Sequence, residues 1–255
     1  MNSTNSLPNN YIPLNMQAWL ITGANRGIGF EITKLAASRK HVVYAGVRDP
    51  SKADALNQFA VQNPNVRVIQ LRSASVSDAE AAAKVIEQTT GGIDVVIANA
   101  GIANNWQRAT NVEINAVLEH YKVNALSAIV LFQAFYPLLL KRQTRKFVTV
   151  STNSASVSTL LSFPDTAYGS SKAALNFITR SIHKEHLDEG FIVFPIHPGF
   201  VTTDMGLAAA EEFDTGFMVP LTPSQSGEAV FQKVDTASVE DSGRFWVYDG
   251  TELAW

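Results

Sequence analysis

Seven short apolar runs recur along this chain: "AWLIT" (18–22), "HVVYAGV" (41–47), "VRVIQL" (66–71), "DVVIANA" (94–100), "KFVTVS" (146–151), "FIVFPIH" (191–197) and "RFWVYDG" (244–250). Between them lie stretches such as 27–39, 77–90, 112–140 and 168–189, which are rich in Ala and Leu and long enough for helices. Strands that are apolar on both faces must be covered on both faces, and strands separated by helices are joined by crossovers. The expectation is therefore an α/β fold of one domain, a doubly wound, mainly parallel sheet of seven strands. At 255 residues and 46% hydrophobic the chain can build one large core, and no linker divides it. We expect a polar arm over 1–16 and one catalytic domain over 17–255. One stretch breaks the rhythm: "GLAAAEEFDTGFMVPLTPSQS" (206–226) is punctuated by Gly and Pro yet carries Leu207, Phe213, Phe217 and Met218. Apolar residues in an irregular segment after a strand predict a lid over a pocket, with a linker as the alternative.

The remaining composition excludes several classes. A net charge of -3, with Lys and Arg dispersed, argues against a nucleic-acid partner, since phosphate-backbone binders concentrate their basic residues. No cysteine is present and the five His show no HExxH spacing, so no metal site is expected, and a reducing, cytoplasmic setting fits. The first eighteen residues have neither a basic start nor an apolar run, so no signal peptide is expected. The longest apolar stretch, "IVLFQAFYPLLL" from Ile129, spans twelve residues and is broken by Gln133 and Pro137, short of the roughly 20 that cross a bilayer. No membrane association is expected.

"TGANRGIG" (22–29) falls where the first strand hands over to the first helix. Gly23, Gly27 and Gly29 there allow a tight turn, close approach to a pyrophosphate and packing against the sheet, while the helix N-terminus offers N–H groups to the anion. The spacing is G-x-x-x-G-x-G, and no acidic residue closes the second strand; Arg48 stands there instead, and Arg26 lies inside the turn. Two guanidiniums suit a 2′-phosphate, which a carboxylate would repel. The pattern predicts NADP(H) over NAD(H), unless Arg48 is taken up by the adjacent Asp49.

In "TAYGSSKAALNF" (166–177) a tyrosine and a lysine stand four apart, and on a helix Tyr168 and Lys172 share one face. A nearby ammonium favours phenolate, so the Tyr168 pKa is expected to fall toward neutrality, which makes a general acid for reducing a carbonyl. The pairing by itself arises often by chance. With it, however, "TGANRGIG", "ANAG" (98–101), Val123–Asn124, "YGSSK" (168–172) and "HPGFVTTDMG" (197–206) occur in the order and spacing of the short-chain dehydrogenase/reductases. From about residue 17 onward the chain resembles that family. Within it, "AGVRDP", "IANAGIANNW" and "GRFWVYDGTELAW" are most similar to C-factor and sniffer-type carbonyl reductases and to fungal norsolorinic acid ketoreductase-like enzymes.

The resemblance implies a Rossmann fold and roles for single residues. Tyr168 would protonate the carbonyl oxygen as hydride arrives, and Lys172 would hold the ribose hydroxyls and lower the Tyr168 pKa. Asn124 would kink its helix so that a backbone carbonyl links Lys172 to solvent through water. The cofactor would be held by Gly23, Asn25, Arg26, Gly27, Ile28 and Gly29, by Arg48, by Asn99, Ala100 and Gly101, and by Pro198, Val201 and Thr203, the last two fixing the carboxamide. The family's substrate-binding serine falls on "VSTNSAS", where Thr152 matches by position and Ser154 and Ser151 remain alternatives. Ser75 replaces the adenine-contacting Asp, and Asp78 is expected to cap the following helix. Trp106, Phe163, Phe200, Met205, Phe213 and Phe217 would wall the pocket. Together these imply NADPH-dependent reduction of a bulky apolar or aromatic ketone, in a homodimer or homotetramer. A cofactor-binding scaffold without redox turnover is the alternative.

Overall fold

The apolar runs become the strands of one sheet because nowhere else can they hide both faces. Residues 16–160, 163–213 and 220–255 are described by a computed structural model. Every residue of β1 (Ala18–Thr22), β4 (Val95–Ala98) and β5 (Lys146–Val150) is buried. With β2 (Val42–Val47), β3 (Val66–Gln70), β6 (Ile192–His197), β7 (Phe245–Val247) and β8 (Glu252–Leu253) they form an eight-stranded sheet in the order β3-β2-β1-β4-β5-β6-β7-β8. All neighbours pair in parallel except β7 and β8.

Side chains alternate between two cores. On one face Trp19 and Ile21 pack with Ile32 and Ala36 of α1 (Gly27–Ser38), Leu56 of α2 (Asp54–Gln62) and Phe231 of α8 (Pro223–Thr236). On the other, Ala18 and Leu20 pack with Ile86 of α3 (Val76–Thr90), Phe135 of α5 (Ser127–Leu140) and Leu175 of α6 (Thr166–Glu185). Burying each such Leu, Ile or Phe contributes about 1.5–3 kcal/mol. Strand order reverses between β1 and β4, and in open α/β sheets the crevice beyond the strand C-termini at that point is where ligands bind.

Three expectations are corrected. The sheet has eight strands, not seven: the run 244–250 ends in a hairpin, with Gly250 at φ +87° and Asp249 accepting from the Thr251 N–H and hydroxyl. That turn sends β8 back against β7. The segment 206–226 is not irregular throughout, because α7 (Asp204–Glu212) is helical and Pro223 opens α8. Its good helix formers follow a capping Thr203, whose hydroxyl accepts from Gly206 N–H at 3.2 Å. Phe217 and Met218 lie outside the described residues. Finally, Asp78 does not cap α3. Ser75 does, accepting from Asp78 N–H, while the Asp78 carboxylate takes both Nε and Nη2 of Arg72.

The helix predicted over 112–140 is α4 (Ile114–His120), a π turn (Tyr121–Leu126) and α5 in one continuous run. Its 27 residues are long and apolar enough to reach across a bilayer, but half of its most apolar window is buried. The apolar residues of α5 are spent on the core between the sheet, α3 and α6.

Candidate active site

The glycine turn closes onto the end of β4. Gly23 and Gly27 adopt φ of +65° and +56°, which other residues enter at a penalty. A Cβ at Gly29 would stand 2.4 Å from Gly23 O and 2.6 Å from Asn99 Nδ2, so nothing larger than hydrogen fits. Asn99 locks the two strand ends together: its Nδ2 donates to Thr22 O at 2.9 Å, and its amide and that of Ala100 donate to Thr22 Oγ1 at 3.0 Å. The first turn of α1 contains no acidic residue, and no side chain caps it among the described residues. Its N–H groups, with the positive end of the helix dipole, form an anion cradle. Asn25 and Ile28 sit half-buried in this turn.

Arg48, at the end of β2, is exposed and makes no ion pair among the described residues, because Asp49 binds Ser51 and Lys52 instead. Arg26 does not point to the same spot. It pairs with Asp204 at 2.7 Å, both side chains being 74% exposed, which ties the glycine turn to α7. Ion pairs so open to water are worth about 0–1 kcal/mol and exchange readily.

Tyr168 and Lys172 share one face of α6, beside the end of β5. Lys172 is 4% exposed, and its Nζ donates to Val150 O at 2.8 Å. Burial lowers its pKa to about 8. Gly101 makes room for it, since a Cβ there would meet Asn124 Oδ1 at 3.1 Å and Lys172 Nζ at 3.4 Å. Asn124 is buried inside the π turn, so the helix is indeed interrupted at this residue. Its amide accepts from Ile102 N–H at 2.8 Å and donates to Ile102 O and to Ser171 Oγ, each at 2.9 Å.

The Tyr168 pKa is not drawn down. Burial pushes it up to about 12, with Asp165 adding to the rise and a hydrogen bond from the Thr152 hydroxyl opposing it. The reason is that Lys172 reaches across to the β5 carbonyl, leaving burial to dominate around the phenol. Among the three hydroxyls considered for the substrate position, Ser151 is tied to Asn176 Oδ1 at 2.6 Å and Ser154 to the Asp165 carboxylate, whereas Thr152, whose hydroxyl donates to Asn153 Oδ1 at 3.2 Å, stands against Tyr168.

A cleft opens over this pair. It is lined by Ile28, Trp106, Thr152, Ser154, Phe163, Asp165, Tyr168, His197, Pro198, Phe200, Val201, Thr203, Met205 and Phe213 among others. Trp106 stands edge-on to Tyr168 at 6.0 Å and to Phe213 at 5.2 Å, and Phe213 stacks on Phe163 at 5.0 Å. Thr203 joins cleft and glycine turn, since a Cβ at Gly27 would lie 3.1 Å from its Cγ2. His197 is held neutral, its pKa lowered to about 4 by burial.

A family model described as short chain dehydrogenase matches residues 17–213. The chain belongs to the short-chain dehydrogenase family. Among curated relatives it is 33% identical to norsolorinic acid ketoreductase of Aspergillus parasiticus, over 93% of this chain and 90% of that protein. It is 35% identical to an uncharacterised oxidoreductase of Schizosaccharomyces pombe, over 93% and 97%. Among solved structures, an NADPH-bound carbonyl reductase from chicken fatty liver superposes with a TM-score of 0.85 at 28% identity, covering 95% of this chain and all of that one. The carbonyl reductase Sniffer of Drosophila melanogaster gives 0.85 at 27%, covering 94% and 100%.

In this short-chain dehydrogenase the expected residues converge, apart from Arg26, which faces α7, and Arg48, which stands alone at the outer end of the turn. All the expected wall residues that fall within the described segments line the cleft. Sequence reasoning missed Asp165 and His197. The second carried a signal in "HPG", directly before the expected Pro198; Asp165 belonged to none of the motifs.

Proposed function

We propose that this chain is an NADPH-dependent carbonyl reductase acting on a bulky apolar or aromatic ketone, with Tyr168 as proton donor. The observation that carries the reading is the Tyr168–Thr152 hydroxyl pair at the wall of an aromatic cleft that runs into the uncapped N-terminus of α1. The residues present fit the nucleotide: Gly23 and Gly27 take the positive φ that turns the chain tightly before α1, the N–H groups of α1 are left without a side-chain cap, and Arg48 is available for a 2′-phosphate. Two similar structures, both carbonyl reductases and one NADPH-bound, support it, as does the ketoreductase relative.

When bound, the reduced nicotinamide supplies hydride to the carbonyl carbon. Every other part of the reaction falls to the protein. Thr152 orients the carbonyl oxygen by a hydrogen bond, and Tyr168, which keeps its proton throughout the neutral range, releases it to that oxygen as negative charge develops. Lys172 is held against Val150 O and Asn124 against Ile102 and Ser171, and the wider π turn frees backbone carbonyls to hold water through which a proton returns from solvent. Val201 and Thr203, which line the cleft, would hold the carboxamide of the nicotinamide, while Trp106, Phe163 and Phe213 exclude water.

The test is loss of NADPH absorbance with a panel of aryl ketones. The wild type should turn over, and Tyr168→Phe should lower kcat by about 10²–10⁴ with little change in NADPH affinity. Tight NADPH binding without oxidation by any ketone would instead favour a scaffold without redox turnover.

A further inference from the structure

Asp165 stands at the N-cap of α6, three residues before Tyr168. An acid at this position ordinarily accepts from the amides of the first helical turn, yet here the side chain makes no capping bond. The carboxylate is folded over Gly169 instead: a Cβ on that glycine would lie 3.2 Å from each carboxylate oxygen and 3.2 Å from Ser154 O. A side chain at residue 169 would press on the carboxylate and crowd it from that place. Asp165 is 8% exposed, and what surface it keeps faces the cleft, whose wall it forms next to Tyr168 and Ser154.

An ionised carboxylate offers about four acceptor sites. Asp165 receives the Ser154 hydroxyl and its own backbone amide, and no cation pairs with it among the described residues. Burial accordingly raises its pKa. Leaving acceptor capacity unused in a buried position is unfavourable, whereas a donor brought by an occupant of the cleft would relieve it. The facing walls are Trp106, Phe163 and Phe213, which would strip water from an ammonium at high cost but accept a neutral hydroxyl on an aromatic frame.

We propose that Asp165 is a specificity-determining residue, its carboxylate accepting a hydrogen bond from a hydroxyl that the ketone carries in addition to the carbonyl protonated by Tyr168. Asp165 and Tyr168 line the same cleft, so one occupant can present a hydroxyl to the first and its carbonyl oxygen to the second. The substrate class is thus a hydroxylated aryl ketone. This inference rests on the carbonyl reductase reading, and the test separates the two.

The probes are 1-tetralone and its monohydroxy isomers, each assayed for NADPH-coupled turnover and for calorimetric binding to the NADP⁺-loaded protein. The wild type should prefer at least one hydroxylated isomer. Asp165→Ala should lose at least tenfold more kcat/KM and affinity on that isomer than on 1-tetralone, and Asp165→Asn, which keeps the volume, should lose an intermediate amount. Selective binding that the variants abolish, without any turnover in the wild type, would keep the anchor and refute the reductase. Equal losses on both ketones, or a wild type with no preference by either measurement, would overturn the role of Asp165.

Discussion

Replacing Lys172 by methionine should make the protein more stable near neutrality while removing its activity. Burial lowers the Lys172 pKa from 10.5 to about 8, and at about 1.4 kcal/mol for each pH unit, holding the ammonium inside at pH 7 costs about 3 kcal/mol. Between pH 8 and 10.5 the unfolded chain binds the proton that the folded chain has released, so stability rises with pH across that window, and the full penalty remains below it. Methionine fills a similar space without charge, and losing the Val150 O bond adds an offset that is the same at every pH. Other titrating groups are common to both proteins and drop out of the difference. The assay is thermal unfolding of wild type and Lys172→Met without cofactor from pH 7 to 10.5. Relative to its value at pH 10.5, the variant's Tm advantage at pH 7 should be larger by roughly 6–12 °C, taking about 2–4 °C for each kcal/mol in a domain of this size. A difference between the two proteins that stays flat with pH would refute the argument.

Other perturbations test the rest of the site. Gly29→Ala drives a Cβ into Gly23 O and Asn99 Nδ2, so stability should fall by about 2–4 kcal/mol in denaturant titrations, and NADPH should no longer raise the Tm. Arg48→Asp should lower the ratio of kcat/KM for NADPH over NADH at least tenfold; an unchanged ratio would reject the 2′-phosphate assignment. Thr152→Ala should reduce turnover by about 10²-fold with the fold intact, while Ser151→Ala, which breaks a buried bond to Asn176, should act chiefly on Tm.

The strands were readable because a run apolar on both faces has one way to be buried. The pair β7–β8 was not, because "VYDGTEL" continues the apolar run through an Asp-Gly turn, and a two-residue strand has no period to detect. Tyr168, Lys172 and Asn124 were legible through helical spacing and motif order. The electrostatics around Tyr168 were not, since they depend on Lys172 reaching a carbonyl 22 residues away. Asp78 misleads because acids near a helix start look alike in sequence, and this one is taken by Arg72 while Ser75 caps. Asp165 had no motif to mark it, since its place over Gly169 comes from the folded chain.

The π turn that holds Asn124 fixes the spacing of the chain around it. One surplus residue in a regular helix would displace everything beyond it by about 100° around the axis, and the wide turn absorbs that displacement. Removing one residue between Tyr121 and Leu126 would therefore let the turn rewind to α form with Leu131, Phe135 and Leu138 still facing the sheet. What such a deletion forfeits is the placement of Asn124 against Ile102 and Ser171, so it should pass a selection for folding and fail one for turnover.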